Sequence, residues 1–236
     1  MAGGGVVAVG DSVIHGGFTH HQFIAPQSWA QHMAEIGGWS FTKYARGLAT
    51  SGHVVDEQLP LVVRDDYDVG AVTVGGNDLQ FGWDAERFRT NLDAILTRLD
   101  EVADRVVVTT VPPTFRRLPG EDRRINQSVP TANDIIVRVA SEHGAHVVDL
   151  TDFTSRRWMR PDHAHPTALG LAEIGQRAAE VLGFERAPAD ARRLGIAYSL
   201  RHVVGLSWHS AWLMVARVRR HRAESPPSER IRRRRR

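Results

Sequence analysis

Two residues that could exchange a proton stand far apart in this sequence, a serine near the start and a histidine late in the chain. Ser12 and Asn77 each follow an apolar, β-branched run, and Asp162 stands three residues before His165. A serine hydroxyl becomes a nucleophile when a histidine accepts its proton and a carboxylate orients that histidine. An asparagine carboxamide can donate a hydrogen bond to an oxyanion. Together these four residues fit acyl transfer.

Each motif alone also has an ordinary structural explanation. Ser12 can cap the segment that follows it, and a Gly-Gly-Asn-Asp sequence such as that around Asn77 is common in turns. Asp162 and His165 can be polar residues of a loop that leads into a helix capped by Thr167. The joint occurrence of the motifs, in one order along the chain, favours the catalytic interpretation.

The elements that must position these residues are those of an α/β fold. Short apolar runs alternate with stretches of helical period, which is typical of βαβ units. Right-handed crossovers then predict a three-layer α/β/α sandwich, with the polar motifs at the carboxyl ends of its strands. We predict strands at Gly5–Val9, Ser40–Tyr44, Val69–Val74, Arg105–Thr110 and Ala145–Leu150. We predict helices at Ser28–Ile36, Val54–Val63, Ala85–Val102, Ser128–His143 and Thr167–Leu182.

At these motifs the sequence resembles the SGNH (GDSL-like) hydrolase superfamily of serine esterases and lipases. Residues 9–12 (VGDS) match the first block of the family, 75–78 (GGND) the third and 162–166 (DHAHP) the fifth. The resemblance covers roughly Val6 to Gly183. It implies a flavodoxin-like, five-stranded parallel sheet in the order 2-1-3-4-5. It also implies ester hydrolysis through an acyl-enzyme on Ser12.

The resemblance assigns the remaining roles in the reaction. His165 would act as the base, Asp162 would stabilise its imidazolium, and no cofactor would be needed. The oxyanion hole would consist of the backbone N–H groups of Ser12 and Gly52 and of Asn77 Nδ2. Gly52 comes from residues 47–52 (GLATSG), where the family usually has Asn-Leu-Ala-x-x-Gly. Gly47 replaces that asparagine and is the alternative donor.

The substrate of such a site is less defined than its chemistry. A small-molecule or lipid ester fits the residues, and a carbohydrate O-deacetylase or a lysophospholipase-like enzyme is the alternative on the same site. A protein of another class would bind membranes or polyanions and carry a degenerate hydrolase body, but the intact motifs argue against it. Trp83, Phe115 and Trp158 lie in the predicted loops, where they could line an acyl pocket or cover the sheet edge.

Metal and nucleotide sites have little support in the sequence. There is no cysteine, and the His163/His165 pair has no third ligand at a recognisable spacing, so we expect no metal. The glycines at 3–5 precede a strand, whereas a dinucleotide or phosphate loop follows one. The N-terminus lacks a basic segment before its apolar run, and we expect a cytoplasmic, unexported protein.

The positive charge of the chain is concentrated at its C-terminus. Residues 217–236 contain ten Arg and two Glu, which leaves 20 basic and 25 acidic residues elsewhere, so the body is acidic. We therefore divide the chain into a hydrolase domain (1–185), a cationic amphipathic helical segment (186–223) and an Arg-rich tail expected to be disordered (224–236).

The cationic segment carries an apolar stripe at helical spacing, from Ala197 through Trp208 to Val218. Arg201 and His209 interrupt its apolar run, so the pattern favours a peripheral position on an anionic membrane over a transmembrane span. Docking of the stripe on the body or on a second subunit is the alternative. We expect no specific binding of nucleic acid, because an arginine run attracts any polyanion.

Overall fold

The protein is built on a five-stranded parallel sheet. The computed structural model describes residues 4–16, 28–113, 121–155, 157–160 and 164–186, without the side chains of 121–124. The strand order is β2-β1-β3-β4-β5, which confirms the predicted α/β topology. The strands are β1 (Gly5–Gly10), β2 (Ser40–Lys43), β3 (Tyr67–Thr73), β4 (Ala103–Thr109) and β5 (His146–Val148).

Helices cover both faces of the sheet and complete the three layers. They are α1 (Ser12–His15), α2 (Trp29–Gly37), α3 (Ser51–His53), α4 (Gly76–Phe81), α5 (Ala85–Val102), α6 (Glu121–Glu142) and α7 (Ala168–Val181). One apolar core lies between the sheet and the helices α5 and α6. A second core lies on the opposite face, under α2 and α7. The two cores are the physical reason for the sandwich, because each helix buries one apolar face against the sheet.

The interior position of β1 places its carboxyl end between the ends of β2 and β3. It pairs with β2 on one side and with β3 on the other, where Gly10 lies opposite Thr73. Every residue of β1 is buried. Such fully buried parallel strands read as continuous apolar runs, which explains why this strand is recognisable in the sequence.

The predicted helix at Val54–Val63 is the main difference between expectation and structure. The chain forms the short helix α3, then a π-helical turn over Val54–Gln58 and a 3₁₀ turn over Leu59–Leu61. Pro60 has no N–H to donate, so a regular helix would lose a bond there. Helix α6 also begins at Glu121, earlier than the predicted Ser128.

Some predictions lie outside the described residues. The cationic segment from residue 187 onward and the Arg-rich tail belong to this group, so membrane binding through them stays a prediction. Among the helices of the described residues, none combines the length and the apolar character needed to cross a membrane.

Candidate active site

The sharp turn between β1 and α1 presents Ser12 at the edge of the sheet. Gly10 has φ +138°, and a Cβ atom there would lie 2.3 Å from the carbonyl oxygen of Thr73. The N–H of Asp11 donates to that same oxygen at 3.1 Å. Asp11 caps α1 by accepting from the N–H of Val13 at 2.8 Å, so the cap is Asp11 and Ser12 is the first helical residue. Only glycine fits position 10 in this conformation.

Two buried carboxamides secure the ends of the strands β1 and β4. Gln58 Oε1 accepts from the N–H of Gly10 at 2.7 Å, and its Nε2 donates to the Gly10 carbonyl at 2.9 Å. Asn133 pairs with both backbone groups of Val111 in the same way, at 2.8 and 2.9 Å. Neither Gln58 nor Asn133 was predicted from the sequence. Their long separation from their partners leaves no local signal of the pairing.

Ser12 and His165 meet although 153 positions separate them. Ser12 Oγ lies 3.0 Å from His165 Nε2, and both residues are buried. His165 precedes α7, and its carbonyl accepts from the N–H of Arg160 at 2.9 Å. An isolated antiparallel bridge between Met159 and Pro166 adds to this hairpin-like contact. The loop after β5 therefore carries the histidine to the serine.

The predicted partner of His165 falls outside the described residues. Asp162 belongs to the segment 161–163, as does His163, and Phe115 belongs to the segment 114–120. The role of Asp162 stays a prediction based on its spacing from His165.

Asn77 lies at the carboxyl end of β3 and faces the same region as Ser12. It is the second residue of α4, which begins after Gly75 with φ +107°. Its Nδ2 donates one hydrogen to the carbonyl of Ala49 at 2.8 Å. The second Nδ2 hydrogen has no acceptor among the described residues. The carboxamide is buried and fixed, with one donor left for another group.

The predicted oxyanion donor Gly52 is the second residue of α3. The N–H groups on either side of it, of Ser51 and His53, donate to Asp78 and to Thr50 Oγ1. Within the described ranges, the N–H of Gly52 has no acceptor. Gly47 lies in the turn before Leu48, whose φ is +64°. Neither glycine is among the described residues that line the cleft beside Ser12.

Burial controls the charge of Asp11. Desolvation raises the pKa of this carboxyl to about 7, the N–H of Val13 opposes that shift, and the nearby Asp78 adds to it. A carboxyl group with this pKa carries a proton for part of the time at neutral pH. The average negative charge of Asp11 beside Ser12 is therefore smaller at neutral pH than that of an exposed aspartate.

A cleft opens beside Ser12 and His165. Its mostly small lining side chains come from the carboxyl ends of four strands and the loops that follow them. The described lining residues are Asp11, Ser12, Val13, Thr73, Val74, Gly76, Asn77, Gln80, Thr110, Val111, Pro112, Leu150, Ala164, His165 and Pro166. This is the position in which open α/β sheets bind their ligands.

The two described aromatic residues of the predicted substrate loops pack against the protein. Trp83 contacts Phe88, with ring centroids 5.3 Å apart, and Trp158 stacks on Phe153 at 4.9 Å. Neither tryptophan is among the described lining residues of the cleft. Both tryptophans are partly buried against the two apolar cores, and substrate contact stays a prediction. The part of the chain that the structure describes contains no group of three or more His, Asp or Glu side chains suited to a metal.

A family model decides which proteins this chain is related to. Residues 8–172, well over half of the chain, match the model of the GDSL-like lipase/acylhydrolase family. The chain belongs to this family. Family membership makes the protein an ester-hydrolysing enzyme. No curated protein is significantly similar to the chain in sequence.

Solved structures share the fold at low sequence identity. One is a variant of Axe2, an acetyl xylan esterase from Geobacillus stearothermophilus, which is 14% identical to this chain. The match covers 80% of this chain and 100% of the Axe2 chain, with a TM-score of 0.60. LAE5, an alpha/beta hydrolase enzyme from the metagenome of Lake Arreo, is 18% identical, covering 77% and 96% with a TM-score of 0.58. A member of the lipolytic protein G-D-S-L family from Veillonella parvula is 17% identical, covering 75% and 96% with a TM-score of 0.57.

Proposed function

We propose that this GDSL-family enzyme hydrolyses carboxylic esters through an acyl-enzyme formed on Ser12, with His165 as general base and acid. The observation that carries the proposal is the buried 3.0 Å contact between Ser12 Oγ and His165 Nε2 beside the cleft. This distance lies within the range for direct proton transfer between a nucleophile and its base.

The first half of the reaction transfers the acyl group to the enzyme. Ser12 Oγ attacks the ester carbonyl carbon while its proton passes to His165 Nε2. The tetrahedral intermediate then collapses, the bond to the alkoxy oxygen breaks, and the imidazolium donates its proton to that oxygen. The products are the free alcohol and an ester of Ser12.

The second half restores the serine. Water attacks the carbonyl carbon of the acyl-serine, and His165 accepts one of its protons. The bond to Ser12 Oγ breaks, His165 returns the proton to that oxygen, and the carboxylic acid leaves. Atoms and charge balance in both halves without a metal or redox partner.

We assign the orientation of His165 to Asp162. A carboxylate three residues before the histidine can accept from the second ring nitrogen and stabilise the imidazolium. Catalytic variants of Axe2 replace a serine, a histidine and an aspartate, and in that protein too the aspartate stands three residues before the histidine. The spacing supports the same arrangement here.

We assign the oxyanion hole to the N–H groups of Ser12 and Gly52 and to Asn77 Nδ2. Each has a hydrogen without an acceptor among the described residues, and Asn77 is held in place through Ala49. Loss of one such donor typically costs about 3–4 kcal/mol of transition-state stabilisation. Asn77→Ala should therefore reduce kcat by roughly a hundredfold or more.

Substitution of the two central residues tests the mechanism. Ser12→Ala and His165→Ala should each reduce turnover of p-nitrophenyl acetate by roughly 10⁴-fold or more, and the double variant should be scarcely worse. A fluorophosphonate probe should label the wild-type enzyme at Ser12 and leave Ser12→Ala unlabelled. The exposed Ser141 offers a matched control, since Ser141→Ala should keep both properties. Turnover or labelling that survives in Ser12→Ala would overturn the assignment.

The pH dependence gives an independent test of the base. Only a neutral imidazole accepts the proton of Ser12, so kcat/KM should fall in acid, where the base is protonated. Activity that does not change on acidification would contradict a histidine base, and loss of activity in EDTA would indicate a metal.

Acetylated carbohydrate is the second candidate substrate. The similarity to Axe2 extends over that whole protein, and the small cleft side chains, such as Ala164, Val111 and Pro112, suit a short acyl group. A series of p-nitrophenyl esters from acetate to palmitate, compared with acetylated xylan, separates the candidates. Preference for long acyl chains would favour a lipase.

A further inference from the structure

The carboxylate of Asp78 joins the two segments that carry the proposed oxyanion donors. Asp78 is the third residue of α4 and follows Asn77 directly. Its oxygens accept from the N–H of Ser51 at 3.0 and 3.1 Å and from the Ser51 hydroxyl at 2.5 Å. They also accept from the N–H of Gly75 at 3.2 Å. One side chain therefore binds both the start of α3 and the start of its own helix.

The Ser51 hydroxyl is itself oriented by a further residue. Asn91 Nδ2, on α5, donates to Ser51 Oγ at 3.0 Å, so the hydroxyl hydrogen is left for Asp78. Ser51 is fully buried, and the bond between its hydroxyl and a carboxylate is of the strong, charge-assisted kind. The resulting chain runs from α5 through Ser51 to α4.

Two parallel links connect the same two segments. Asn77 donates to the carbonyl of Ala49 at 2.8 Å, and Asp78 accepts from Ser51. These contacts fix two positions of the segment that immediately precedes Gly52. The direction of the Gly52 N–H relative to the Asn77 carboxamide is therefore set by Asn77 and Asp78 together.

We infer that Asp78 is a positioning residue of the oxyanion hole, acting through Ser51 and Gly75. This inference rests on the proposed function. Asp78 is not among the described residues that line the cleft. Its four hydrogen bonds hold the proposed oxyanion donors, Gly52 N–H and Asn77 Nδ2, at the spacing that the developing oxyanion requires. Preorganised donors stabilise a transition state more than donors that must first reorient. Neutral asparagine at this position has one acceptor oxygen in place of two, and its NH₂ group opposes the N–H groups it would face.

Steady-state kinetics test the inference. Asp78→Asn should lower kcat for p-nitrophenyl acetate by about 10- to 100-fold while KM changes less than threefold. Ser51→Ala should lower kcat by a smaller factor, since it removes the hydroxyl and keeps both backbone bonds. Asp84→Asn is the matched control: Asp84 caps α5 by accepting from the N–H of Arg87, away from the cleft, and its variant should keep kcat.

Affinity for a tetrahedral analogue separates positioning from general damage to the fold. A phenylboronic acid adds to Ser12 and places an oxygen in the oxyanion hole, so its Ki should rise in Asp78→Asn by about the factor by which kcat/KM falls. Unchanged kcat, or reduced kcat with unchanged Ki, would overturn the role of Asp78. If Asp78→Asn does not fold, kcat and the Ki of phenylboronic acid are measured on Ser51→Ala instead, and the same outcomes apply. Failure of the proposed function itself would appear differently, as turnover that survives in Ser12→Ala.

Discussion

Gln58 binds both backbone polar groups of Gly10, two positions before Ser12, with bonds of 2.7 and 2.9 Å. Gly10 is buried at the end of the interior strand β1 and has φ +138°. Water has no access to replace the bonds. A side chain from the π-helical turn is therefore part of the support for the turn that presents Ser12.

Replacement of Gln58 should lower the free energy of unfolding, because its carboxamide forms two buried hydrogen bonds with Gly10. Gln58→Leu leaves the buried N–H of Gly10 unpaired and leaves its carbonyl with only the N–H of Arg46, at 3.3 Å. The free energy of unfolding should therefore fall by about 1–3 kcal/mol. Urea denaturation measures the loss. Gln31 forms a single exposed bond to Glu35, so Gln31→Leu should change stability by less than about 0.5 kcal/mol. Equal effects of the two substitutions would contradict the importance of the Gly10 pairing.

Asp11 should make the protein less stable as pH rises. Because burial raises its pKa to about 7, the folded protein keeps the proton over a range in which the unfolded chain releases it. Stability should therefore fall between about pH 4 and pH 7 and stay low above that range. Asp11→Asn removes this dependence and should stabilise the protein at pH 8 by up to about 4 kcal/mol, with little change at pH 4.

Chemical denaturation at several pH values checks the Asp11 prediction. The control is Asp134→Asn on α6, because the exposed Asp134 should show no comparable difference between pH 4 and pH 8. An Asp11→Asn variant with the same pH slope as the wild type would show that this carboxyl is charged in the folded protein.

His143 should contribute stability with the opposite pH dependence. Burial alone would lower its pKa, but hydrogen bonds to Asp93 and Asp100 on α5 outweigh burial and raise it. The ring lies 3.1 Å from Asp93 and 2.6 Å from Asp100. A raised pKa means that the contribution is complete below about pH 6.5 and is lost as pH increases through the folded value. His143→Asn should thus cost about 0.5–1 kcal/mol more at pH 5 than at pH 9.

A mutant cycle in which both carboxylates are changed together separates the His143 contacts from the other consequences of replacing the ring. In a background with Asp93→Asn and Asp100→Asn, the pH-dependent part of the His143→Asn effect should disappear. Persistence of the difference between pH 5 and pH 9 in that background would assign it to groups other than these two carboxylates.

Arg177 should stabilise the loop that leads to His165. Its guanidinium binds both oxygens of Asp152 at 2.7 Å and lies over the rings of Phe153 and Trp158. Lysine cannot form this planar fork, so Arg177→Lys should lower stability by about 1–2 kcal/mol. Hydrogen exchange in residues 150–155 should increase as well. The exposed fork between Arg46 and Glu57 is the control, and Arg46→Lys should change stability by less than about 0.5 kcal/mol.

Local patterns predicted much of the fold. Helix α5 begins and ends as expected at Ala85 and Val102, because apolar residues at spacings of three and four coincide with the cap Asp84. The five strands were also predicted, and the largely buried interior strands β1 and β3 have the apolar runs typical of parallel sheets. Helices α1 and α4 are too short for a periodic pattern, and they were not predicted.

The site was predictable only in part, because the side chains that support it bind partners far away in the sequence. Ser12, Asn77 and His165 stand in recognisable motifs, and the structure brings Ser12 and His165 into contact. The supporting residues Gln58 and Asp78 bind partners 48 and 27 positions away. A polar side chain does not reveal its distant partner, so these roles required coordinates.

The great distance along the chain between Ser12 and His165 also has a consequence for biosynthesis. Ser12, the proposed nucleophile, leaves the ribosome early, directly after β1. His165, its proposed base, precedes α7, which packs against α2 through the close approach of Gly175 to Trp29 and His32. If the proposed roles hold, a nascent chain has the serine without its base until α7 has been made and has docked. Ester hydrolysis should then begin during translation only after residues 165–181 have emerged, and it would report the docking of α7.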